Sequence, residues 1–198
     1  MNQTTNPIGS SKGKKVNFVT SNVHKFEEAK NALANFGIPI AKLAVEAVEI
    51  QDDHLENIAK YSVLDAVKNC GLPVFVEDAG LVIESLKGFP GPYSRFVFET
   101  VGVKGVLKLM EGVKNRDAYF KSVICFGGPD AEPTCFVGKV DGKICSELRG
   151  SDGFGYDPIF VPSDGDGRTF AEMSLTEKNS FSHRAKALKQ FAEWYSGR

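Results

Sequence analysis

Val74-Phe75-Val76-Glu77-Asp78-Ala79-Gly80 opens with a short run of β-branched and aromatic residues and then sets two carboxylates side by side. Such a run predicts a buried strand. The Ala-Gly pair after the acids predicts a turn, and Leu81-Val82-Ile83 a further strand beyond it. In an open α/β sheet, ligands collect outside the carboxyl ends of strands. Acids placed there can hold a divalent metal or take a proton from water. Alone, the same stretch equally suits ordinary strand-end charges facing solvent, so the rest of the chain must decide.

Upstream, Val16-Asn17-Phe18-Val19 predicts a strand, and Thr20-Ser21-Asn22-Val23-His24-Lys25 leads into a helix. Phe26, Ala29, Leu33 and Phe36 share one face of that helix, and Gly37 is its stop. Thr20, Ser21 or Asn22 can cap it. Its first amides, the positive end of its dipole and Lys25 together make a sound phosphate site, although the spacing is not that of a P-loop. Ile38 to Leu43 predicts a second strand. Leu55, Ile58, Ala59, Ala66 and Val67 give the next helix its apolar side, and Gly71-Leu72-Pro73 ends it. Before that helix stand Glu46, Glu49, Asp52, Asp53 and Glu56. These acids suit a helix start. Any one of them can also meet Asp78 across Mg2+, which takes one or two carboxylates plus phosphate oxygens and water.

Downstream, the Gly88-Phe89-Pro90-Gly91-Pro92 loop is too rich in glycine and proline to be filler. A short helix is predicted over Gly105 to Met110, a long strand over Ala118 to Phe126, and a turn at Gly127-Gly128-Pro129-Asp130. Cys135 to Val140 and Lys143 to Ser146, joined by Asp141-Gly142, predict a hairpin by the strongest short-range rule. The sheet is therefore expected to be mixed. In Gly150-Ser151-Asp152-Gly153-Phe154-Gly155-Tyr156-Asp157, glycines allow close backbone approach and the rings offer a stacking face to a base. Asp157 can accept from a base edge; the plainer reading is a glycine-rich turn with packed rings. Asp164-Gly165-Asp166-Gly167 lacks the further ligands of a calcium loop and is taken as a loop. Ser174-Leu175-Thr176-Glu177 fits a capping box ahead of Lys178. Ser182-His183-Arg184 opens a last helix with Ala185, Leu188, Ala192 and Tyr195 on its apolar side. Lys178, His183 and Arg184 so close together can clamp phosphates or a base carbonyl.

Composition narrows the classes. The 198 residues, 42% hydrophobic and 25% charged, are ordinary for a globular protein with a proper core. A net charge of -1 leaves no broad basic field for DNA or RNA, and no run is long enough to cross a membrane. Residues 1–15 are polar, without the apolar segment of a secretory leader, and are expected to be a flexible tail on a single domain over 16–198. Cys70, Cys125, Cys135 and Cys145 show no C-x-x-C spacing and are read as reduced thiols of a cytoplasmic protein.

Six motifs, in order, carry a resemblance: Thr20-Ser21-Asn22 with Lys25, Glu77-Asp78, Gly88 to Ser94, Phe154-Gly155-Tyr156-Asp157, Glu177-Lys178-Asn179 and Ser182-His183-Arg184. From Val16 to about Tyr195 the chain resembles the inosine triphosphate pyrophosphatase (Ham1-like) family, its archaeal members above all. The resemblance implies an α/β fold in which a long, curved mixed sheet is flanked by helices, with two lobes around a central nucleotide cleft. It implies hydrolysis of noncanonical purine nucleoside triphosphates (ITP, dITP, XTP) to the monophosphate and pyrophosphate, with Mg2+, by a homodimer. By motif position Asp78 would be the proton acceptor and a metal ligand. Glu49 would be the second ligand, since Val48-Glu49-Ile50-Gln51 matches the family's loop acid. Thr20, Ser21, Asn22, Val23, His24 and Lys25 would hold the phosphates, and Phe154, Gly155, Tyr156 and Asp157 would surround the base. Lys178, His183 and Arg184 would complete the pocket, with Glu77 in support.

Those roles are chemically coherent. Water attacking the α-phosphorus needs a base and neutralised phosphate charge. Donors such as His183 and Arg184 would favour the 6-carbonyl of hypoxanthine or xanthine. Adenine would leave them unpaired, at about 1–3 kcal/mol each. Guanine shares that carbonyl, so its rejection rests on the 2-position. Two positions depart from the family. Ala79, at a substrate-binding position, replaces the commoner Ser or Thr. Tyr61 stands where some relatives carry a pocket lysine, beside Lys60. The rival expectations are a pyrophosphatase for other modified nucleotides and a nucleotide-binding protein without turnover.

Overall fold

The computed structural model describes residues 15–45, 48 and 50–197. The expected tail before Lys15 lies outside the described residues, as do Glu46 and Glu49 of the acidic group. Strand β1 (Val16–Val19) is followed by helix α1 (Val23–Ala34), which starts where the Asn22 side chain accepts from the Lys25 amide. Strand β2 (Ile40–Leu43) and helix α2 (Leu55–Cys70) come next, and α2 ends on Gly71 in the left-handed conformation that a glycine adopts freely. Then come β3 (Val74–Ile83), β4 (Pro90–Gly91), α3 (Ser94–Thr100) and α4 (Gly102–Leu109). The chain closes with β5 (Asp117–Gly128), β6 (Ala131–Ile144), β7 (Phe160–Pro162), α5 (Leu175–Asn179) and α6 (His183–Ser196). Ser174 and Glu177 form the expected capping box of α5, and Ser182 caps α6.

Among the described residues seven strands make one mixed sheet, ordered β2-β1-β3-β5-β6-β7, with β4 beside the far end of β3. β1 runs parallel to β2 and β3, and the remaining pairings are antiparallel. Alternation along the strands separates the cores. Phe75, Ile124 and Phe136 pack on Leu33 of α1 and on Leu188 and Phe191 of α6. Val74, Val76 and Val123 pack on Ala59, Val63 and Ala66 of α2 across the opposite face. Leu81, Ile83, Phe120 and Val140 build a third cluster with Val97, Val106 and Phe160. Fully buried side chains such as Phe75 and Phe191 each contribute about 1.5–3 kcal/mol.

The structure corrects several sequence expectations. The acid pair does not end a strand, because β3 is continuous and pairs with β5 from Val74↔Gly127 to Ile83↔Ala118. Gly80 is no turn; a Cβ there would collide with the Gly91 carbonyl of β4. Asp141-Gly142 joins no hairpin, since β6 runs straight through it. Gly142 is small because the Val161 carbonyl and the Phe160 ring lie against it, and the reversal falls instead at Pro129-Asp130. Helix α3 was not predicted, and α4 starts at Gly102, earlier than expected. Phe36 lies beyond the end of α1 and is exposed. Cys125 and Cys135 are opposite one another on β5 and β6 and are joined as a disulfide, leaving Cys70 and Cys145 free. Strand register brings that pair together, which C-x-x-C spacing cannot reveal. Among the described residues no helix is long and apolar enough to cross a membrane.

Candidate active site

β1 pairs with β3 only as far as Phe18↔Phe75, and β4 joins β3 only from Leu81. Among the described residues, Glu77 to Gly80 thus has β5 on one side and no strand on the other. The start of α1 fills the approach to this open stretch. Thr20 Oγ1 accepts from the Asn22 amide at 3.2 Å and Asn22 Oδ1 from the Lys25 amide at 3.0 Å, so both side chains serve the cap. Ser21, Val23 and His24 are exposed beside it. Lys25 Nζ reaches across to Glu77, 2.8 Å from Oε2 and 3.2 Å from the main-chain oxygen. The predicted phosphate-holding segment is therefore in direct contact with Glu77 of the acid pair.

Behind that contact lies a buried ionic cluster. Arg184 NH2 is 3.0 Å from Glu77 Oε1, and Ser122 Oγ donates to the same oxygen at 2.7 Å. Arg184 NH1 also pairs with Glu28 Oε2. Glu28 Oε1 accepts from Lys178 Nζ at 2.7 Å, and Lys178 Nζ meets Asp157 Oδ2 at 2.6 Å. Burial alone would raise the Glu77 and Glu28 carboxyls. The charges and hydrogen bonds of Arg184 with Lys25, and of Arg184 with Lys178, outweigh it and hold both below the usual 4.5. For Asp157 burial wins over Lys178, and its carboxyl is pushed up. Burial likewise opposes the charge of Arg184, and Glu77 and Glu28 more than offset it.

The aromatic residues border this cluster. The His24 ring stacks on Phe154 with centroids 5.2 Å apart and planes at 14°. Lys178 Nζ lies 5.0 Å and Arg184 Cζ 5.5 Å from the centre of the same Phe154 ring. Asp157 turns back to accept from the Phe154 amide at 2.8 Å, which fixes the Phe154-Gly155-Tyr156 turn. Tyr156 points elsewhere: it is buried, its hydroxyl donates to the Ser94 carbonyl at 2.8 Å, and burial raises its pKa. The His183 ring stacks on Phe120 at 4.6 Å, and its buried Nδ1 meets no protein partner. Burial first, then the charges of Arg184 and Lys178, hold its pKa well below 6.5, so the ring is neutral near pH 7.

Asp78 stands on the other side of the strand. Alternation sends Glu77 toward α1 and α6, and Asp78 toward the α2 face that Val76 and Val123 share. Asp78 Oδ1 accepts from the Ala79 amide at 2.9 Å. Ala79 pairs with Ser122 and so shares the Glu77 side. Of the acidic group, Glu56 pairs with Lys121 at 2.5 Å, and Asp52 accepts from the His54 amide at 2.7 Å and from Asn57. Asp53 is exposed, and Glu49 lies outside the described residues. Lys25, Phe154, Asp157, Lys178 and Arg184 thus converge with Glu77, whereas Tyr156 and Asp78 do not. Sequence reasoning missed Glu28. The signal was present: Glu28 comes three residues after Lys25, on the face that carries buried Ala29, Ala32 and Leu33.

A model of the Ham1 family matches residues 16–194, and the chain belongs to that family. It is 50% identical over 181 residues to a dITP/XTP pyrophosphatase of Methanopyrus kandleri, covering 91% of this chain and 96% of that one. With a dITP/XTP pyrophosphatase of Thermococcus kodakarensis the identity is 51% over 177 residues, or 89% and 95% of the two chains. Among solved structures, the Staphylococcus aureus Ham1 protein superposes with a TM-score of 0.80 at 27% identity, covering 93% of this chain and 99% of that one. A HAM1 protein from Coxiella burnetii gives 0.81 at 30% identity with the same coverage.

Proposed function

We propose that the chain hydrolyses noncanonical purine nucleoside triphosphates (ITP, dITP and XTP) to the monophosphate and pyrophosphate. The observation that carries this reading is the 50–51% identity, over about nine tenths of the chain, to two proteins named dITP/XTP pyrophosphatase. The site is suited to the chemistry. The amide end of α1, the Ser21 hydroxyl and Lys25 hold the phosphates at the open stretch of β3. Phe154 offers its ring to the base, with Lys178 and Arg184 supplying donors beside it. His183, beside Arg184 in the first turn of α6, is uncharged, and its buried Nδ1 has no protein partner.

Asp78 is assigned the proton of the attacking water, with attack at the α-phosphorus. Glu28, Glu77 and Asp157 are already engaged by lysine and arginine, which makes them poor metal ligands. Asp78 faces the opposite side of β3 and carries the hard carboxylate oxygens that Mg2+ prefers, with Glu49 as its assigned partner. Among the described residues no three acidic, histidine or cysteine side chains converge, so Mg2+ would take its other ligands from phosphate and water. When bound, it neutralises phosphate charge and lowers the pKa of coordinated water. Removing such nucleotides from the pool suits a cytoplasmic enzyme. The exposed Tyr93, Phe96, Phe98 and Val101 around α3 suit a homodimer contact.

The test is pyrophosphate release from ITP, XTP, GTP and ATP with Mg2+, for the wild type and Asp78→Asn. ITP and XTP are expected to turn over fastest, and the variant to lose at least about 100-fold in kcat. Wild-type rates equal to buffer would remove the enzyme reading. Equal rates in both proteins would remove the role of Asp78, and GTP cut as fast as ITP would remove the substrate class.

A further inference from the structure

We propose that Lys121 is a further substrate-binding residue, setting its ammonium against the pyrophosphate half of the nucleotide and neutralising charge as that half departs. The inference rests on the cleft being a pyrophosphatase site in which Asp78 takes the water proton. As the water oxygen bonds to the α-phosphorus, the bond from that phosphorus to its bridging oxygen breaks. The bridging oxygen leaves with the electron pair on pyrophosphate, and the water proton goes to Asp78. Negative charge thus builds on the departing group, where a positioned cation lowers the barrier. Lys25 is largely engaged already, its Nζ 2.8 Å from Glu77 Oε2 and 3.2 Å from the Glu77 carbonyl oxygen. That leaves work for a second cation on the Asp78 side.

Strand register supplies one. Asp78 lies opposite Val123, and Gly80 opposite Lys121. Residues two apart on a strand share a face. Asp78 and Lys121 therefore stand on the same side of the sheet, as diagonal neighbours within reach of a long side chain. Gly80, directly across from Lys121, has no side chain to stand between them. The ion pair of Lys121 Nζ with Glu56 Oε1 at 2.5 Å fixes the side independently, because Glu56 is in the first turn of α2. This is also the stretch of β3 that β1 and β4 leave open. Phosphates anchored at the start of α1 cross that open edge to reach Asp78, and Lys121 is beside it.

The Glu56 pair is one that Lys121 can leave. The two side chains are 25% and 39% exposed, and ion pairs open to water are weak. Glu56 stands at a helix start, where the dipole steadies a carboxylate without a partner. Lys139, opposite Lys121 on β6, is turned elsewhere: its Nζ lies 4.2 Å from the centre of the Tyr119 ring and 2.7 Å from Asp141.

The experiment follows labelled inosine monophosphate (IMP) formed from labelled ITP with Mg2+, and its inhibition by added pyrophosphate or by added IMP. It uses the full chain as wild type, Lys121→Met, Lys121→Arg and Glu56→Gln. In Lys121→Met, kcat should fall and the pyrophosphate inhibition constant rise, each by about tenfold or more, while the IMP constant stays within about twofold. Lys121→Arg keeps the charge and should recover most of both. Glu56→Gln frees the ammonium and should leave pyrophosphate inhibition as strong or stronger, whereas a merely structural pair predicts damage equal to that of Lys121→Met. Such equal damage, equal rises for pyrophosphate and IMP, or a pyrophosphate constant in Lys121→Met within about twofold of the wild type would each overturn the proposal. Lys121→Gln takes the place of Lys121→Met if the latter does not fold. A wild type inert toward ITP would instead remove the pyrophosphatase reading, and this inference with it.

Discussion

His183 resists protonation and Glu28 resists neutralisation, and together they give the protein a characteristic acid response. The native His183 pKa lies well below 6.5, so the unfolded chain binds a proton there that the folded chain does not. Stability from this residue is therefore complete above pH 6.5 and declines as pH falls below it, by about 1.4 kcal/mol per pH unit. Glu28 and Glu77 have depressed native values, so their contribution is full above 4.5 and is lost as pH falls through the depressed range. Asp157, raised by burial, acts in the opposite sense and partly offsets them. Urea unfolding between pH 7 and 4 should show a decline that begins below pH 6.5, and His183→Asn should delay its onset toward 4.5. A curve flat to pH 5 would contradict the buried, neutral ring. Residues whose task is local were legible in the sequence: Asn22, Ser174 and Ser182 each cap the next helix, and Gly71 ends one. Glu28 was legible only in part: its place on the buried face of α1 shows in the spacing, but its partners lie 150 and 156 positions away.

Among the elements, α6 matters most to the site, since its first turn carries His183 and Arg184. It lies against β6 at Gly138, where a Cβ would collide with the His183 carbonyl and approach the Ala187 amide. Those are backbone atoms and cannot swing aside. Gly138→Ala is expected to cost about 3 kcal/mol by overpacking and to lower ITP turnover even at temperatures where the variant is folded. Urea midpoints and rates measured side by side would check both, and a variant within about 0.5 kcal/mol of the wild type would contradict the close approach. The same physics explains the failed hairpin at Asp141-Gly142. A glycine beside an aspartate resembles a turn when only neighbours are considered. Here Gly142 makes room for β7, which arrives 18 residues later, at Phe160. Gly80 misled in the same way, through β4.

For the whole molecule, the mixed sheet with flanking helices was legible because β1, β3, β5, α1, α2 and α6 each show in the local pattern, whereas β4 and α3 did not. Strand order and cross-strand partners were not. The Cys125–Cys135 disulfide, ten residues apart in sequence, links β5 to β6 and should stabilise the fold by about 2–3 kcal/mol. Treatment with a dithiol reductant is expected to lower the melting midpoint by roughly 5–10 °C, and the Cys125→Ser/Cys135→Ser protein should not respond. A wild-type midpoint indifferent to reductant would contradict the cross-link. What defines the activity is which bond of which nucleotide is cut. Hydrolysis of ITP with Mg2+ in 18O-labelled water, with the products resolved by mass, tests it most directly. The expected products are inosine monophosphate carrying one labelled oxygen and unlabelled pyrophosphate; orthophosphate with the diphosphate, label in pyrophosphate, or no turnover would contradict it.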